Sequence, residues 1–242
     1  MGLLDLNSVT KRFGGLVAND SVTFSVGAGE IFGLIGPNGA GKTTLLSCVA
    51  GALQPNGGAI TFDGHVTTAF SADRMCRLGM GRTFQIPRPF PNLTARDNVS
   101  VAAVFGDPHI RRDEVSDRAL AMLDYVGFPR RADTLANHLN VAQLKRLDLA
   151  RALASKPKLL LLDELAAGLT PSELGDFAKL LRKIREDGVT ILMVEHVMRL
   201  ILDLCDRLAV LQYGLLIATG ESSAVAQDDR VREAYLGTNY VL

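Results

Sequence analysis

A glycine-rich stretch near the start of the chain has the residue types and the spacing of a phosphate-binding loop. It fits the pattern G-x-x-x-x-G-K-[ST] and reads Gly36-Pro37-Asn38-Gly39-Ala40-Gly41-Lys42-Thr43-Thr44. Its glycines allow a tight turn whose backbone N–H groups can face phosphate oxygens. Lys42 can then reach the β- and γ-phosphates of a nucleotide, and the Thr43 hydroxyl can bind Mg²⁺. We therefore predict that residues 36–44 bind a nucleoside triphosphate together with Mg²⁺.

The segments on either side of this loop have the character that a nucleotide site requires. Residues 30–35 predict a short buried strand, and residues 43–53 predict a packed helix. The N-terminus of that helix would direct the positive end of its dipole at the bound anion. This context favours a nucleotide site over the alternative, a glycine-rich surface turn.

A second apolar segment ends in two carboxylates. Residues 159–162 are all leucine, as is typical of a buried parallel strand, and Asp163 and Glu164 follow directly. An aspartate in that place can hold Mg²⁺ through water, opposite Thr43. Glu164 is then placed to polarise an attacking water as a general base. The alternative for the acidic pair is a helix cap, and the phosphate-binding loop upstream favours the catalytic role.

Composition limits the class of protein. The chain has 242 residues, 48% of them hydrophobic, and its 26 Lys and Arg balance 26 Asp and Glu. A net charge of zero gives no general attraction to nucleic acid or anionic lipid, so no nucleic-acid partner is expected. The 3 cysteines have no metal-like spacing, which favours a reducing compartment. No apolar run approaches the roughly 18–20 residues that cross a bilayer, so partner subunits would have to hold the chain at a membrane.

Hydrophobic periodicity predicts an α/β fold. In the first strand Leu4, Leu6 and Ser8 alternate with polar residues, and an Asp63-Gly64 turn predicts a hairpin, so an antiparallel β layer should bracket the nucleotide loop. The pattern becomes helical from about Asp73. We predict a single domain over residues 1–242, with a P-loop core, this β layer and a helical subdomain inserted at about residues 86–155.

Two helices have readable boundaries. Between Asp113 and Val126 an apolar helix face is predicted from Leu120, Leu123 and Val126, and Gly127 is expected to end that helix. Residues 170–173, Thr-Pro-Ser-Glu, form a capping box with proline at the first helical position. Apolar strands at residues 159–162 and 189–194 flank the second of these helices and continue the core.

Four further features make the chain resemble the ATP-binding subunits of ABC transporters over nearly all of its length. Gln85, in Gly81-Arg82-Thr83-Phe84-Gln85, matches the glutamine that senses Mg²⁺ and the γ-phosphate. His196 matches the switch histidine on the γ-phosphate, and Phe13 matches the aromatic that stacks on adenine. Taken one at a time, each has a simpler alternative: Gln85 as an ordinary loop amide, His196 as a helix-capping side chain and Phe13 as a core aromatic. The family signature, which binds ATP held by the opposite subunit, corresponds to Leu139-Asn140-Val141-Ala142-Gln143.

A closer resemblance is to the ATPase subunits of branched-chain amino acid importers. It is carried by Arg12-Phe13-Gly14-Gly15-Leu16, by Ala166-Ala167-Gly168-Leu169 and by the ending Glu233-Ala234-Tyr235-Leu236-Gly237. The resemblance implies Mg²⁺-dependent ATP hydrolysis by a dimer with a second ATPase subunit, bound to two transmembrane permease subunits and served indirectly by a solute-binding protein. It implies a peripheral location at the cytoplasmic face of the inner membrane. Residues 86–90 are the expected permease contact.

The alternatives are the ATPase of a lipid or lipopolysaccharide exporter, and an ATP-binding regulatory module with weak turnover. The second is motivated by departures from the family pattern. Asn140 stands in place of the signature serine and Ala142 in place of its second glycine. Leu165 follows Glu164 where proline is usual, and Thr170 replaces the usual acid or amide. We therefore expect an ATP site that hydrolyses with a partner's signature, and a weaker site built with this chain's own signature.

Overall fold

The computed structural model describes residues 2–107 and 109–236. Gly237, the last residue of the importer-like ending, lies outside the described residues. The strands are β1 (Leu4–Phe13), β2 (Leu16–Val26), β3 (Ile31–Ile35), β4 (Gly57–Phe62), β5 (His65–Val66), β6 (Met80–Arg82), β7 (Leu159–Asp163), β8 (Thr190–Val194), β9 (Arg207–Gln212) and β10 (Leu215–Glu221). The helices are α1 (Lys42–Val49), α2 (Ala72–Leu78), α3 (Ala95–Gly106), α4 (Val115–Tyr125), α5 (Val141–Ala154), α6 (Pro171–Glu186), α7 (Met198–Leu204), α8 (Ser222–Ala226) and α9 (Asp229–Leu236).

The strands form two sheets. The first is antiparallel, in the order β2-β1-β4-β5. The second has the order β10-β9-β3-β8-β7-β6, in which β9, β3, β8, β7 and β6 are parallel and β10 is antiparallel. Because parallel strands end at a common edge, the loops after β3, β6, β7 and β8 all leave from the same side of this sheet. The predicted α/β fold with an antiparallel β layer is confirmed.

The parallel sheet is covered on both faces, which explains its unbroken apolar strands. In β7, Leu160 and Leu162 pack in one hydrophobic cluster with helices α3–α7. Leu159 and Leu161 pack in a second cluster, with α1 and the antiparallel sheet. Alternate side chains of a strand point to opposite faces, so a strand buried on both faces must be apolar throughout. Within the described part of the chain, no helix is long and apolar enough to cross a membrane.

Between β6 and β7 the chain is mostly helical, with α3, α4 and α5 packed on one another. Helix α3 starts at Thr94, whose hydroxyl accepts the Asp97 N–H at 3.0 Å. Helix α6 starts with the predicted capping box between Thr170 and Glu173. Local side-chain caps therefore set both helix starts, and the capping box at Thr170 confirms the one that the sequence analysis predicted.

Several local predictions were wrong. Ser8 does not continue the buried alternation of β1, because its φ of 50° belongs to an irregularity after which Val9 is buried. Leu120 is 41% exposed, and the inward residues of α4 are Ala119 and Leu123. The sequence pattern also missed strand β6 within a region read as helical. Finally, α1 stops at Val49, short of the predicted residue 53, and Gly51 follows with a φ of 70°.

A candidate site for nucleotide binding and hydrolysis

The loop between β3 and α1 approaches two other strands so closely that glycine is required. Gly36 and Gly41 have φ values of 145° and 98°, which side chains rarely adopt. A Cβ atom on Gly36 would lie 2.1 Å from the carbonyl oxygen of Leu211, and one on Gly41 would lie 2.2 Å from that of Ala18. The loop therefore packs tightly against β9 and β2, and this packing holds its shape in the absence of nucleotide.

Lys42, the first residue of α1, has its ammonium inside this loop. Its Nζ donates hydrogen bonds to the carbonyl oxygens of Gly36 at 2.7 Å and Pro37 at 2.9 Å, and the residue is 5% exposed. Burial lowers the pKa of Lys42, and the nearby carboxylates of Glu164 and Asp163 oppose that shift. A buried cation within a glycine-rich loop at a helix N-terminus is a site for a polyphosphate anion.

Thr43 and Asp163 face each other across the end of the parallel sheet. The Thr43 hydroxyl lies 3.5 Å from Asp163 Oδ1, and the Arg82 guanidinium lies 3.4 Å from Asp163 Oδ2. Burial raises the pKa of Asp163, while Arg82 lowers it. Arg82 also contacts the Ser47 hydroxyl at 3.3 Å. Hydroxyl and carboxylate oxygens suit Mg²⁺, which usually completes its shell with water and nucleotide phosphates, so the residues present fit that ion.

The carboxylate of Glu164, which follows β7, is contacted by side chains from the loops after β6 and β8. The Gln85 side-chain amide, after β6, donates to Glu164 Oε2. His196 Nε2, after β8, lies 3.2 Å from the same oxygen. Glu164 itself has a φ of 49°, an uncommon backbone conformation for a residue other than glycine. The structure therefore brings together Gln85, Glu164 and His196, residues widely separated in the chain.

A cavity of about 390 Å³ lies beside the phosphate-binding loop. Its lining combines loop residues with Glu164, Phe13 and Tyr213. Phe13 is 46% exposed, with the Lys11 ammonium 5.1 Å from its ring centre, so it is not a core aromatic. An exposed ring at the rim of such a cavity can stack on a planar base.

The residues Leu139, Asn140, Val141, Ala142 and Gln143 do not line this cavity. Asn140 caps α5, since its side chain accepts the Gln143 N–H at 3.0 Å and the Gln143 side chain accepts the Asn140 N–H at 3.1 Å. Asn140 and Val141 are exposed. Within one chain, this segment is therefore a surface feature separate from the phosphate-binding loop.

Sequence reasoning missed several residues that hold the site. Asn19 is fully buried and its Nδ2 donates to the Gly41 carbonyl at 3.1 Å. Buried Lys145 on α5 and buried Glu195 after β8 both bind the backbone that follows Glu164. Glu195 directly follows the predicted strand at residues 189–194, so a charge beside an apolar strand was an available signal. Asn19 and Lys145 had none.

A phosphate-binding loop, an acidic pair and a histidine gathered at one sheet edge define a P-loop nucleoside triphosphatase. The sequence profile of the ABC transporter family matches residues 19–167. The chain therefore belongs to the ABC transporter family and is an ABC-type ATPase, which confirms the resemblance seen in the sequence.

Curated relatives match over nearly the whole chain. The branched-chain amino acid transport ATP-binding protein BraF of Pseudomonas aeruginosa is 36% identical, over 97% of this chain and 98% of that protein. The protein LivG of Escherichia coli, described in the same terms, is 35% identical with the same coverage. The lipopolysaccharide export system ATP-binding protein LptB of Escherichia coli is 31% identical over 100% of both chains.

Solved structures agree with the fold. A nucleotide-free ATP-binding cassette from an ABC transporter superimposes with a TM-score of 0.88 at 28% identity, covering 98% of this chain and 100% of that one. A dimeric ATP-binding cassette in a post-hydrolysis state, bound to ADP and phosphate, has a TM-score of 0.83 at 28% identity, covering 90% and 98%.

Proposed function

We propose that this chain is the ATP-hydrolysing subunit that powers an ABC importer, with branched-chain or related amino acids as the transported solutes. The hydrolytic part rests on one observation, the convergence of Gln85 and His196 on the Glu164 carboxylate. The solute class rests on the similarity to BraF and LivG, whose names assign them to branched-chain amino acid transport.

In the proposed site, the backbone of residues 36–44 and the Lys42 ammonium hold the phosphates, and Phe13 stacks on adenine. Thr43, Asp163 and Gln85 would hold Mg²⁺, which neutralises phosphate charge when it is bound. Glu164 acts as the general base toward the attacking water. Glu164 is mostly buried, and the side-chain contacts of its carboxylate among the described residues both go to Oε2, which leaves Oε1 to orient that water.

His196 is proposed to contact the γ-phosphate. Its Nε2 already lies 3.2 Å from Glu164, so one imidazole can link the base to the phosphate being released. This supports a hydrolytic role over simple nucleotide storage, since a storage site has no need of a positioned base beside a histidine.

The proposed partners are a second ATPase subunit, two permease subunits and, through them, a solute-binding protein. The dimeric state of a similar cassette supports the first of these. Ile86 and Phe90 are 74% and 46% exposed, as a permease contact requires, and lie at the start of the proposed helical subdomain, residues 86–155. Docking there would place the chain peripherally at the cytoplasmic face of the membrane.

The signature segment supports an asymmetric pair of ATP sites. Asn140 binds the Gln143 N–H, one of the amides at the start of α5 that would otherwise face phosphate. Loss of one charge-assisted hydrogen bond costs about 1.5–3 kcal/mol, or about ten- to a hundredfold in affinity. We propose that this chain's phosphate-binding loop works with a stronger signature from its partner. A tight ATP-bound homodimer of the Glu164→Gln chain would contradict this.

The first experiment is affinity purification of the chain from detergent-solubilised native membranes, with identification of the subunits that copurify. Two permeases with a second ATPase, and ATP-driven leucine uptake by the reconstituted complex, are expected. Copurified lipopolysaccharide-transport subunits would instead favour the exporter alternative, which the 31% identity to LptB supports. Recovery of no membrane protein would favour the regulatory module.

Turnover is tested with Glu164→Gln, and the exposed Glu186→Gln serves as the control that makes the same chemical change on the surface of α6. Loss of a general base lowers the rate by about 10²–10⁴-fold. The expected result is that loss in Glu164→Gln alone, with ATP binding retained. Equal rates in both variants would refute the assigned base.

A further inference from the structure

The peptide unit that joins Leu165 to Ala166, just after Glu164, is held on both sides by buried side chains from other parts of the chain. Lys145 Nζ donates to the carbonyl oxygen of Leu165 at 2.6 Å and to that of Glu164 at 3.2 Å. Glu195 Oε1 accepts the Ala166 N–H at 2.7 Å. The backbone after Glu164 thus has its acceptors bound from α5 and its donor bound from the loop after β8.

Both side chains are buried to an extent that is unusual for charged residues. Lys145 is 4% exposed and Glu195 is 1% exposed, and Glu195 Oε2 has no hydrogen-bond partner among the described residues. Burial lowers the pKa of Lys145 and raises that of Glu195, because removing either side chain from water disfavours its charged form. Fully buried charged residues are rare unless they are paired or bound, so their position calls for a role.

The backbone that they hold is strained. The φ of 49° at Glu164 is disfavoured for a residue with a side chain and persists only where its surroundings impose it. That conformation turns the Glu164 carboxylate toward His196 and Gln85. The hydrogen bonds from Lys145 and Glu195 act on the two residues that follow, where they resist relaxation of the turn.

We infer that Lys145 and Glu195 form a buried clip that positions Glu164 for hydrolysis and connects it to the helix that carries the signature. This rests on the proposed role of Glu164 as the base. Lys145 lies in α5, little more than one turn from the signature residue Asn140 that caps this helix, and Glu195 adjoins His196. A shift of α5 on engagement of the partner's nucleotide would therefore move the Leu165 carbonyl and, with it, the base.

The clip is tested by removing the charge of Glu195 in one variant and shortening the reach of its side chain in another. Glu195→Gln keeps an oxygen acceptor at the same reach and loses the charge, whereas Glu195→Asp keeps the charge and withdraws the acceptor by one methylene. Lys145→Met removes the opposite donor. Arg118→Met is the control, because Arg118 also donates to a backbone carbonyl, that of Ala154 at 3.3 Å, away from the site. For each variant kcat, KM, the Kd for ATP without Mg²⁺, and Tm are measured on the intact complex.

The expected result is a kcat about ten- to a hundredfold lower in Glu195→Asp and Lys145→Met, the effect of losing one charge-assisted hydrogen bond. Glu195→Gln should retain kcat within about threefold, and the Kd for ATP should stay unchanged in all variants. Arg118→Met should lower Tm without lowering kcat.

Three results would overturn the clip: wild-type kcat in Glu195→Asp, a loss in Glu195→Gln as large as that in Glu195→Asp, or losses confined to KM. If Arg118→Met lowers both Tm and kcat to the same extent as the Lys145 and Glu195 variants do, the role of Lys145 and Glu195 is only structural. Glu164→Gln, measured in parallel, separates the two hypotheses. If it keeps turnover, the proposed base is wrong; if it loses turnover while the Lys145 and Glu195 variants do not, only the clip is wrong.

Discussion

The contact between the phosphate-binding loop and β2 predicts that two glycines of that loop differ sharply in their tolerance of alanine. Gly39 and Gly41 both have left-handed backbones, with φ values of 80° and 98°. A Cβ atom on Gly39 would meet nothing within 4 Å, whereas one on Gly41 would lie 2.2 Å from the Ala18 carbonyl oxygen and 2.6 Å from Asn19 Nδ2. Gly39→Ala therefore reports backbone strain alone, and Gly41→Ala reports strain and collision together.

The magnitudes follow from these distances. Backbone strain costs each variant about 1–2 kcal/mol. Relief of a 2.2 Å contact with a backbone oxygen requires β2 and the loop to separate by roughly 1 Å, and overpacking of that kind adds about 1–3 kcal/mol. In a chain of this length each kcal/mol shifts Tm by about 2–4 °C. Gly41→Ala should therefore melt about 2–12 °C below Gly39→Ala.

The assay is thermal unfolding without nucleotide, because an alanine at either position could also touch phosphate. Urea unfolding gives the same difference as a free energy. ATP binding, measured afterwards with Mg²⁺ chelated, should be weaker in Gly41→Ala than in wild type because the loop has moved. Equal Tm values for the two variants would show that β2 moves away at little cost and that the loop is not tightly packed against it.

Three other outcomes are expected. Thr170→Ala should lower the free energy of unfolding by about 1 kcal/mol through loss of the α6 cap, with ATP affinity unchanged, whereas Ser172→Ala in the same turn should be neutral; equal effects would contradict the capping role. Burial raises the pKa of the Cys205 thiol from 9.0 to about 12, so folding favours the protonated thiol and stability is lost as pH rises from 9.0 toward 12. Cys205→Ala should flatten that decline, and unchanged curves would refute it. Phe90→Asp should abolish coupled transport and leave basal ATPase unchanged; loss of ATP binding would contradict the proposed permease contact.

Much of the site could be predicted because its motifs are local. The phosphate-binding loop needs glycines, a lysine and a threonine at fixed spacing, and Asp163 and Glu164 follow an apolar strand directly. These patterns can be read along the chain because each depends on the conformation of a few consecutive residues. The capping box at Thr170 was predictable for the same reason.

Other features depend on the packing of distant segments. The irregularity at Ser8, within β1, reflects the pairing of β1 with its neighbouring strand. The exposure of Leu120 reflects the orientation of α4 against α3 and α5. Periodicity shows that a helix has an apolar face, but the neighbours decide which residues of that face are covered. Predictions of this kind failed where the pattern allowed more than one orientation.

The nucleotide chemistry of this protein is encoded locally in the chain, since the residue types of a phosphate-binding loop and an acidic pair serve few other purposes. The way in which Glu164 is held depends instead on tertiary contacts. Gln85 and His196 reach Glu164 because β6, β7 and β8 are parallel and end at one edge of the sheet. Lys145 and Glu195 bind the backbone after Glu164 because α5 and the loop after β8 fold against it. Such contacts join residues far apart in the chain, and no spacing along the sequence encodes them.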